Sequence, residues 1–363
     1  MKLPVDDFRK AFGVINLVGS HAGLLSSQFI KMVCSKGILK MSLTGLCLGE
    51  SQITIPDTSA SWTFYLDRRV LEAFLNTTRA QTLDLVLQKE SLTLLAGKQK
   101  ASSTPMNEVS GYSHWKPNGT LRSMKLSEQM HKELGVLSSY APITAAADHL
   151  SAVYLIQKYG IIATDSFVVA ACFDASLPST FPLPVVISKL ASDNKVSHLE
   201  LDKTGAGIRF PEGYVYQTIS SRCQTDYPIK AVQEVLRTSR SVPPVLKITA
   251  GHLFDSLEYL KKFIFGSDTD INIQCQAGQK EKTVLLTMDL IRGRTQTAAV
   301  GDMVAKDLDL KWPVSKVDSW ISYIAGLDRD QPIHCCVDPK SKSNILIAPA
   351  GKRSYVIVIA EMV

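Results

Sequence analysis

The spacing of apolar residues along the chain falls into two alternating patterns. Apolar positions three and four apart predict helices over 5–17, 126–137 and 251–263, and again over 65–75, 185–190 and 314–321. In the second of these, Leu126, Met130, Leu134 and Leu137 share one helical face, while Glu128, His131 and Lys132 lie on another. Each helix of the second set leads into period-two runs punctuated by glycine or lysine turns. These strand-like runs are 82–87 and 91–95, then 197–201, 207–210 and 214–216, then 333–337, 344–347 and 355–359.

The same order of elements thus returns three times, and a threefold agreement in order marks a tandem array. Loop-forming residues at Lys116-Pro117-Asn118-Gly119 and Val242-Pro243-Pro244 place boundaries near 118 and 244. The expectation is an α+β protein of three tandem units, 1–118, 119–244 and 245–363, averaging 363/3 = 121 residues.

Composition narrows the class. Apolar residues make up 45% and charged residues 20% of the chain, a balance that supports packed cores. No run approaches the ~18 apolar residues of a membrane span. The opening Met1-Lys2-Leu3-Pro4-Val5-Asp6-Asp7 has no apolar signal segment, so a cytoplasmic location is expected. The seven cysteines are odd in number and never spaced C-x-x-C, which points to small buried hydrophobes rather than disulfides or zinc ligands.

Catalytic signatures are missing. There is no phosphate-binding G-x-x-x-x-G-K-[ST], no G-x-S-x-G and no H-E-x-x-H. Gly205-Ala206-Gly207 lies between strand-like runs and predicts a hairpin turn. The seven histidines are isolated from one another. A protein without catalytic activity, cofactor or metal is expected.

The formal net charge of +6 makes an acidic polymer a plausible partner, and the helical segments carry the bias. The first unit offers Arg9, Lys10, Arg68, Arg69 and Arg79; the second, Lys132, Lys189 and Lys195; the third, Lys261, Lys262 and Lys316. Cations set away from apolar stripes suit a surface facing a phosphate backbone. Aromatic residues are not grouped as a stacking platform, which disfavours single-strand recognition.

Gly160-Ile161-Ile162-Ala163-Thr164-Asp165-Ser166-Phe167-Val168-Val169-Ala170, followed by Leu177-Pro178-Ser179, resembles the second-domain signature of bacterial-type β sliding clamps, the DNA polymerase III beta subunit family. Asp226-Tyr227-Pro228 is similar to that family's Phe/Tyr-Pro element, and the resemblance runs over essentially the whole chain. It implies a homodimeric ring of six domains, with helices lining the hole and sheets outside. The partners implied are duplex DNA, a DNA polymerase and other proteins bearing a clamp-binding motif, and a clamp loader.

The resemblance also assigns residues. A hydrophobic peptide pocket falls on Thr164, Ser166, Phe167, Val169, Tyr227, Pro228, Ile359, Ala360, Met362 and Val363. Arg68, Arg69 and Lys189 match basic helix openings, and His149 falls near a DNA-touching loop. The subunit contact falls on Lys100, Ala101 and Ser103 and, opposite them, Phe263 and Ile264.

Three features depart from the family pattern. Small residues at 101 and 103 stand where a large apolar side chain is common, which implies a weaker ring; the tail carries Glu361; and the overall charge is basic. A divergent, viral-type clamp fits these features, and a clamp-fold docking scaffold that never closes on DNA is the alternative.

Overall fold

The computed structural model describes residues 1–18, 25–55, 60–88, 91–103, 109–112, 120–143, 145–174, 177, 179–264, 272–278, 282–290, 293–304, 310–313, 317–349 and 355–359. One element order runs through it three times: a strand, a helix, four strands, a second helix and three strands. The first pass comprises β1 (Lys2–Pro4), α1 (Val5–Asn16), β2 (Phe29–Ser35), β3 (Ile38–Thr44), β4 (Leu48–Thr54), β5 (Trp62–Asp67), α2 (Arg68–Thr77), β6 (Thr82–Gln88), β7 (Ser91–Ala96) and β8 (Gln99–Ser102).

The second pass comprises β9 (Arg122–Lys125), α3 (Glu128–Ser138), β10 (Ala152–Ile156), β11 (Gly160–Thr164), β12 (Val168–Phe173), β13 (Phe181–Pro184), α4 (Val185–Asp193), β14 (His198–Leu201), β15 (Gly205–Phe210) and β16 (Gly213–Thr218). Two helices, α5 (Ser221–Thr225) and α6 (Ile229–Ser239), then precede the third pass. That pass comprises β17 (Leu246–Thr249), α7 (Ala250–Lys261), β18 (Asn272–Ala277), β19 (Thr283–Leu290), β20 (Gly293–Met303), β21 (Leu310–Pro313), α8 (Val317–Ala325), β22 (Pro332–Val337), β23 (Asn344–Ala348) and β24 (Tyr355–Ile359). The α+β class and the tandem repetition expected from the sequence are both present.

Local chemistry explains where the helices begin. Asp67 accepts hydrogen bonds from the backbone N–H groups of Arg69 (2.7 Å) and Val70 (3.3 Å), so α2 starts at Arg68. The sequence pattern had extended this helix back to residue 65, but Tyr65–Asp67 finish strand β5 against β2. Ser127 caps α3 through Met130 N–H at 3.2 Å, and Thr249 caps α7 through His252 N–H at 3.4 Å. Such caps contribute about 1 kcal/mol each. The predicted α3 face is buried throughout: Leu126, Met130, Leu134 and Leu137 are at most 9% exposed.

The chain separates into two compact units. One contains Met1–Leu126 and Asn194–Ile219; the other contains Ser127–Asp193 and Ser220–Val363. The first holds a four-stranded sheet, β1-β6-β7-β8, and an eight-stranded sheet, β5-β2-β3-β4-β16-β15-β14-β9. The second holds a twelve-stranded sheet, β13-β10-β11-β12-β24-β23-β22-β17-β20-β19-β18-β21. All pairings are antiparallel.

Two joints make these sheets continuous across successive passes. In one, β4 pairs with β16 (Leu48 opposite Tyr216, Ser51 opposite Gly213). In the other, β12 pairs with β24 (Val168 opposite Ile359, Cys172 opposite Tyr355). Each joins the third β-strand after the first helix of one pass to the last strand of another. Gly213 is needed at the first joint, because a Cβ there would lie 2.1 Å from the Glu50 carbonyl oxygen. The strands that remain in the same positions, β8 and the Gly293–Val300 part of β20, each pair on one side only among the described residues.

The structure revises one turn. Gly205 and Gly207 do not form it; both lie in β15, where a Cβ on Gly205 would meet Gln217 O at 2.2 Å. The bend is made one step earlier by Asp202, whose carboxylate accepts from the N–H groups of Thr204 (2.7 Å) and Gly205 (2.9 Å). All seven cysteines are buried free thiols. Burial pushes Cys47 and Cys223 up to about 12. Among the described residues no helix is long and apolar enough to cross a membrane.

Candidate functional site

Strands β11 and β12 of the second unit form a hairpin whose turn, Asp165–Phe167, presents a large apolar side chain. The Asp165 carboxylate accepts hydrogen bonds from the N–H groups of Phe167 (2.9 Å) and Val168 (2.7 Å), and Thr164 Oγ1 accepts from Ser166 N–H (3.2 Å). Ser166 takes φ +83°, a backbone state that only a locally braced turn holds for a non-glycine residue. Braced in this way, Phe167 is 51% exposed although it is aromatic.

The register fixes what lies beside it. Thr164, Val169 and Val358 are cross-strand partners in one row, and the next row holds Tyr154, Ile162, Ala171 and Val356. Tyr227 packs on this second row, with its ring centroid 4.0 Å from that of Tyr154. Tyr154 donates to the carbonyl of Cys223 on α5, which ties the Tyr227-Pro228 segment to the sheet. Tyr227 is 7% exposed, and its hydroxyl has no partner among the described residues. Burial drives its ionisation far above the usual tyrosine range.

Thr164 and Val169 therefore share one row of the sheet, Ser166 and Phe167 form the turn at its end, and Tyr227, followed by Pro228 at the start of α6, packs on the next row. Ile359 contributes backbone to β24. Ala360, Met362 and Val363 lie outside the described residues.

The predicted cations divide into two kinds. Lys10, Arg69, Arg79, Lys132, Lys189, Lys195 and Lys262 are exposed. Arg9 and Arg68 are instead built into the helix pair of the first pass. Arg9 donates to the carbonyls of Leu75 (3.1 and 3.0 Å) and Thr78 (2.7 Å) at the end of α2. Arg68 donates to Asn16 Oδ1 (2.7 Å) and the Asn16 carbonyl (3.2 Å) at the end of α1. Each helix thus sends an arginine to the other's C-terminal carbonyls, where a positive charge is favoured.

Of the remaining candidates, Lys261 pairs with Asp318 at 2.7 Å. His149 is half-buried, its Nδ1 enclosed without a partner among the described residues. Lys316 lies outside the described residues.

At the expected subunit contact, Ala101 (3% exposed) and Ser103 (4%) point into their own unit. The Ser103 hydroxyl accepts from Leu92 N–H at 2.8 Å, so neither side chain is on offer to a partner. The physical reason is strand alternation: only Lys100 and Ser102 lie on the other face. Phe263 and Ile264 are half-buried just beyond α7, with the Phe263 ring 5.2 Å from Tyr259.

Helix α6 was not anticipated from the sequence. Its signal was the spacing of the buried Val232, Leu236 and Ser239 after Pro228. Nor was Glu133 singled out, a buried carboxylate on α3 that accepts from Tyr355 Oη (3.1 Å) and Gln129 Nε2 (3.1 Å). No group of three or more His, Cys, Asp or Glu side chains among the described residues is placed to hold a metal.

No protein-family model matches this sequence, and no curated protein does. Solved structures do match, over the full chain. The DNA polymerase III subunit beta from Pseudomonas aeruginosa aligns with a TM-score of 0.77 at 12% identity, covering 100% of this chain and 99% of that one. The beta subunit from Thermotoga maritima gives 0.75 at 11% identity, with coverage of 100% and 99%. A sliding clamp from Bartonella birtlesii, solved bound to griselimycin, gives 0.75 at 10% identity, again covering 100% and 99%. The chain has the fold of the bacterial sliding clamps.

Proposed function

We propose that this chain, built on the sliding-clamp fold, is a DNA sliding clamp: two copies close a ring around duplex DNA and hold a polymerase there. The observation that carries this reading is the unfilled third joint. Two equivalent strand pairs, β4–β16 and β12–β24, are made within the chain. The third equivalent pair would be β8 with β20; among the described residues β8 pairs only with β7, and the Gly293–Val300 part of β20 pairs only with β19. An open edge is a template for another strand. If β8 of one copy takes β20 of the other, and the reverse, the same joint occurs six times and every strand in these two positions is paired on both sides. That closure supports domains at 1–118, 119–244 and 245–363, two sets of three making the ring.

The mechanism that follows is topological. A closed ring leaves a duplex only by opening or by running off an end, so retention does not depend on tight contact. Exposed cations such as Lys10, Arg69, Lys132 and Lys189 then supply weak, sequence-independent phosphate contacts that permit sliding. The exposed Phe167, with Val169, Tyr227 and Pro228, serves as the seat for a short apolar motif of a polymerase or other partner. Tethering converts repeated encounters at the primer end into an intramolecular one. The clamp carries out no reaction; a separate loader opens it.

The inward-turned Ala101 and Ser103 favour a second reading, a docking scaffold that stays open, because β8 then offers a partner little beyond four residues of backbone. Sedimentation together with DNA retention separates the two. A ring sediments as a dimer, stays on circular duplex and is lost when the circle is cut. Replacing Val300, 58% exposed on β20, by Asp is expected to weaken the dimer and the retention together. A monomer at micromolar concentration that binds circular and linear duplex equally would refute the ring.

A further inference from the structure

Helix α6 packs on strands β12 and β24, beyond the Phe167 turn, and it borders a second recess. The recess, about 650 Å³, is lined by Tyr159, Phe173, Lys230, Glu234, Arg237 and Arg240 among others. Lys230, Glu234 and Arg237 follow one another at helical spacing along α6. The Arg240 guanidinium lies 4.5 Å from the Phe173 ring centroid, and Tyr159 meets the same ring edge-on at 5.2 Å. Stacking on Phe173 holds this guanidinium in a fixed place rather than leaving it to sweep through solvent.

The charge is one-sided. Glu234 is engaged by Arg237 through two contacts of 2.6 and 3.0 Å. Among the described residues, neither Lys230 nor Arg240 has a carboxylate within ion-pair reach. Three cations therefore face one carboxylate that is already spoken for. The volume exceeds what a single ion requires and matches a site for a short segment of chain.

Phe173 is already covered by Arg240 and flanked by Tyr159, so the aromatic surface is not open to a stacked base. A carboxylate-bearing peptide suits the recess better than single-stranded nucleic acid.

Its position relates it to the proposed pocket. Val169 and Phe173 lie on the same face of β12, four residues apart, which is about 13 Å along a strand. The row between them is sealed: Ala171, Ile162 and Val356 are at most 1% exposed. A partner seated at Phe167 reaches the recess with about four extended residues.

We infer that the α6 recess binds an acidic segment flanking the apolar motif of the clamp's protein partners, with Lys230 and Arg240 taking its carboxylates. This rests on the pocket reading given under Proposed function.

The test uses the full chain and fluorescein-labelled synthetic peptides read by anisotropy at low salt. One peptide carries a Leu-Leu-Phe anchor alone. Two others add four glutamates across a four-residue Gly/Ser spacer, before or after the anchor. A fourth carries four lysines, and a fifth carries the glutamates with no anchor.

One of the anchored glutamate peptides is expected to bind about tenfold tighter than the anchor alone, and the advantage to shrink in salt. Lys230→Glu with Arg240→Glu abolishes the advantage, whereas Phe167→Ala weakens every anchored peptide and leaves the ratio intact. Both positions are exposed, and an unchanged melting midpoint confirms that the variant is folded.

The inference is overturned if the glutamates give no advantage, if the advantage survives the charge reversal, or if labelled oligothymidylate, rather than the acidic peptides, loses binding on reversal. Should no anchor bind while the anchorless glutamate peptide still distinguishes wild type from the reversal, the pocket reading falls and the recess stands as an acidic-peptide site.

Discussion

Replacing Arg9 by alanine separates a structural cation from a DNA-facing one. The Arg9 guanidinium makes three contacts to backbone carbonyls of the α2 terminus, at 3.1, 3.0 and 2.7 Å, and one to Asp6 at 3.0 Å. Hydrogen bonds to a charged group contribute about 1.5–3 kcal/mol each when shielded. Here the side chain is 40% exposed and water replaces part of what is lost, so the sum is far below three such bonds. The Asp6 pair, with its carboxylate 81% exposed, adds almost nothing.

A loss of about 2 kcal/mol is expected for Arg9→Ala, and about 1 kcal/mol for Arg68→Ala, which gives up two bonds to Asn16. Lys10→Ala, one position along the same helix and exposed, is expected to stay within about 0.5 kcal/mol of wild type. Urea unfolding followed by circular dichroism measures all three, with the midpoint shift at constant m as the readout.

The same variants are then titrated with duplex DNA at several salt concentrations. Each lost phosphate contact lowers the slope of log K against log salt by about 0.9. Lys10→Ala and Arg69→Ala are expected to lower it, and Arg9→Ala to leave it unchanged. An Arg9→Ala protein as stable as wild type but with a reduced salt slope would show that Arg9 faces DNA rather than the α2 terminus.

Three further outcomes follow from single features. Gly213→Ala forces a Cβ to within 2.1 Å of Glu50 O and 2.8 Å of Ser51 Cα, both backbone atoms, so the β4–β16 joint must shift. A loss of about 1–3 kcal/mol is expected by urea unfolding, and a neutral result would show that the joint is slack. Phe167→Ala removes an exposed ring held by a turn that does not depend on it. Stability should be unchanged while binding of an apolar-motif peptide falls by at least about tenfold in anisotropy.

The third outcome concerns pH. Burial, and then the neighbouring Lys247, depress the ionisation of His334 below its ordinary value of 6.5, so the folded state disfavours the imidazolium. The unfolded chain binds the proton more readily. Stability from this group is therefore full above about 6.5 and is lost as pH falls through the depressed folded value. His334→Asn is expected to flatten the stability profile in that window, as read by melting at stepped pH, and an unchanged profile would count against it.

Much of the architecture was legible because it depends on local periodicity. The apolar stripe of 126–137 and the alternation in 82–85 are consequences of helix and strand geometry, and repetition of their order needs no knowledge of distant contacts. Helix starts were legible only to within a few residues. Tyr65 to Asp67 fit a helical stripe, but pairing with β2 claims them for a strand until the Asp67 carboxylate caps the next turn. The stretch around Phe167 was legible through its resemblance to the clamp signature, and its brace is local, since Asp165 and Thr164 accept from neighbours two or three residues away.

Contacts between residues far apart in the chain settle the rest. A row of basic residues says nothing about which guanidiniums are already committed. Arg9 meets Leu75, and Arg68 meets Asn16, across 66 and 52 positions. The strand phase that turns Ala101 inward, the joints that leave β8 and β20 open, and the stacking of Arg240 on Phe173 are equally non-local. The elements, their threefold order and the charged character of the helices could be read without the fold, because each arises within a few turns of chain. Which cations are left for a phosphate, and which edges for a second copy, depends on contacts between residues far apart in sequence, and only folding brings those together.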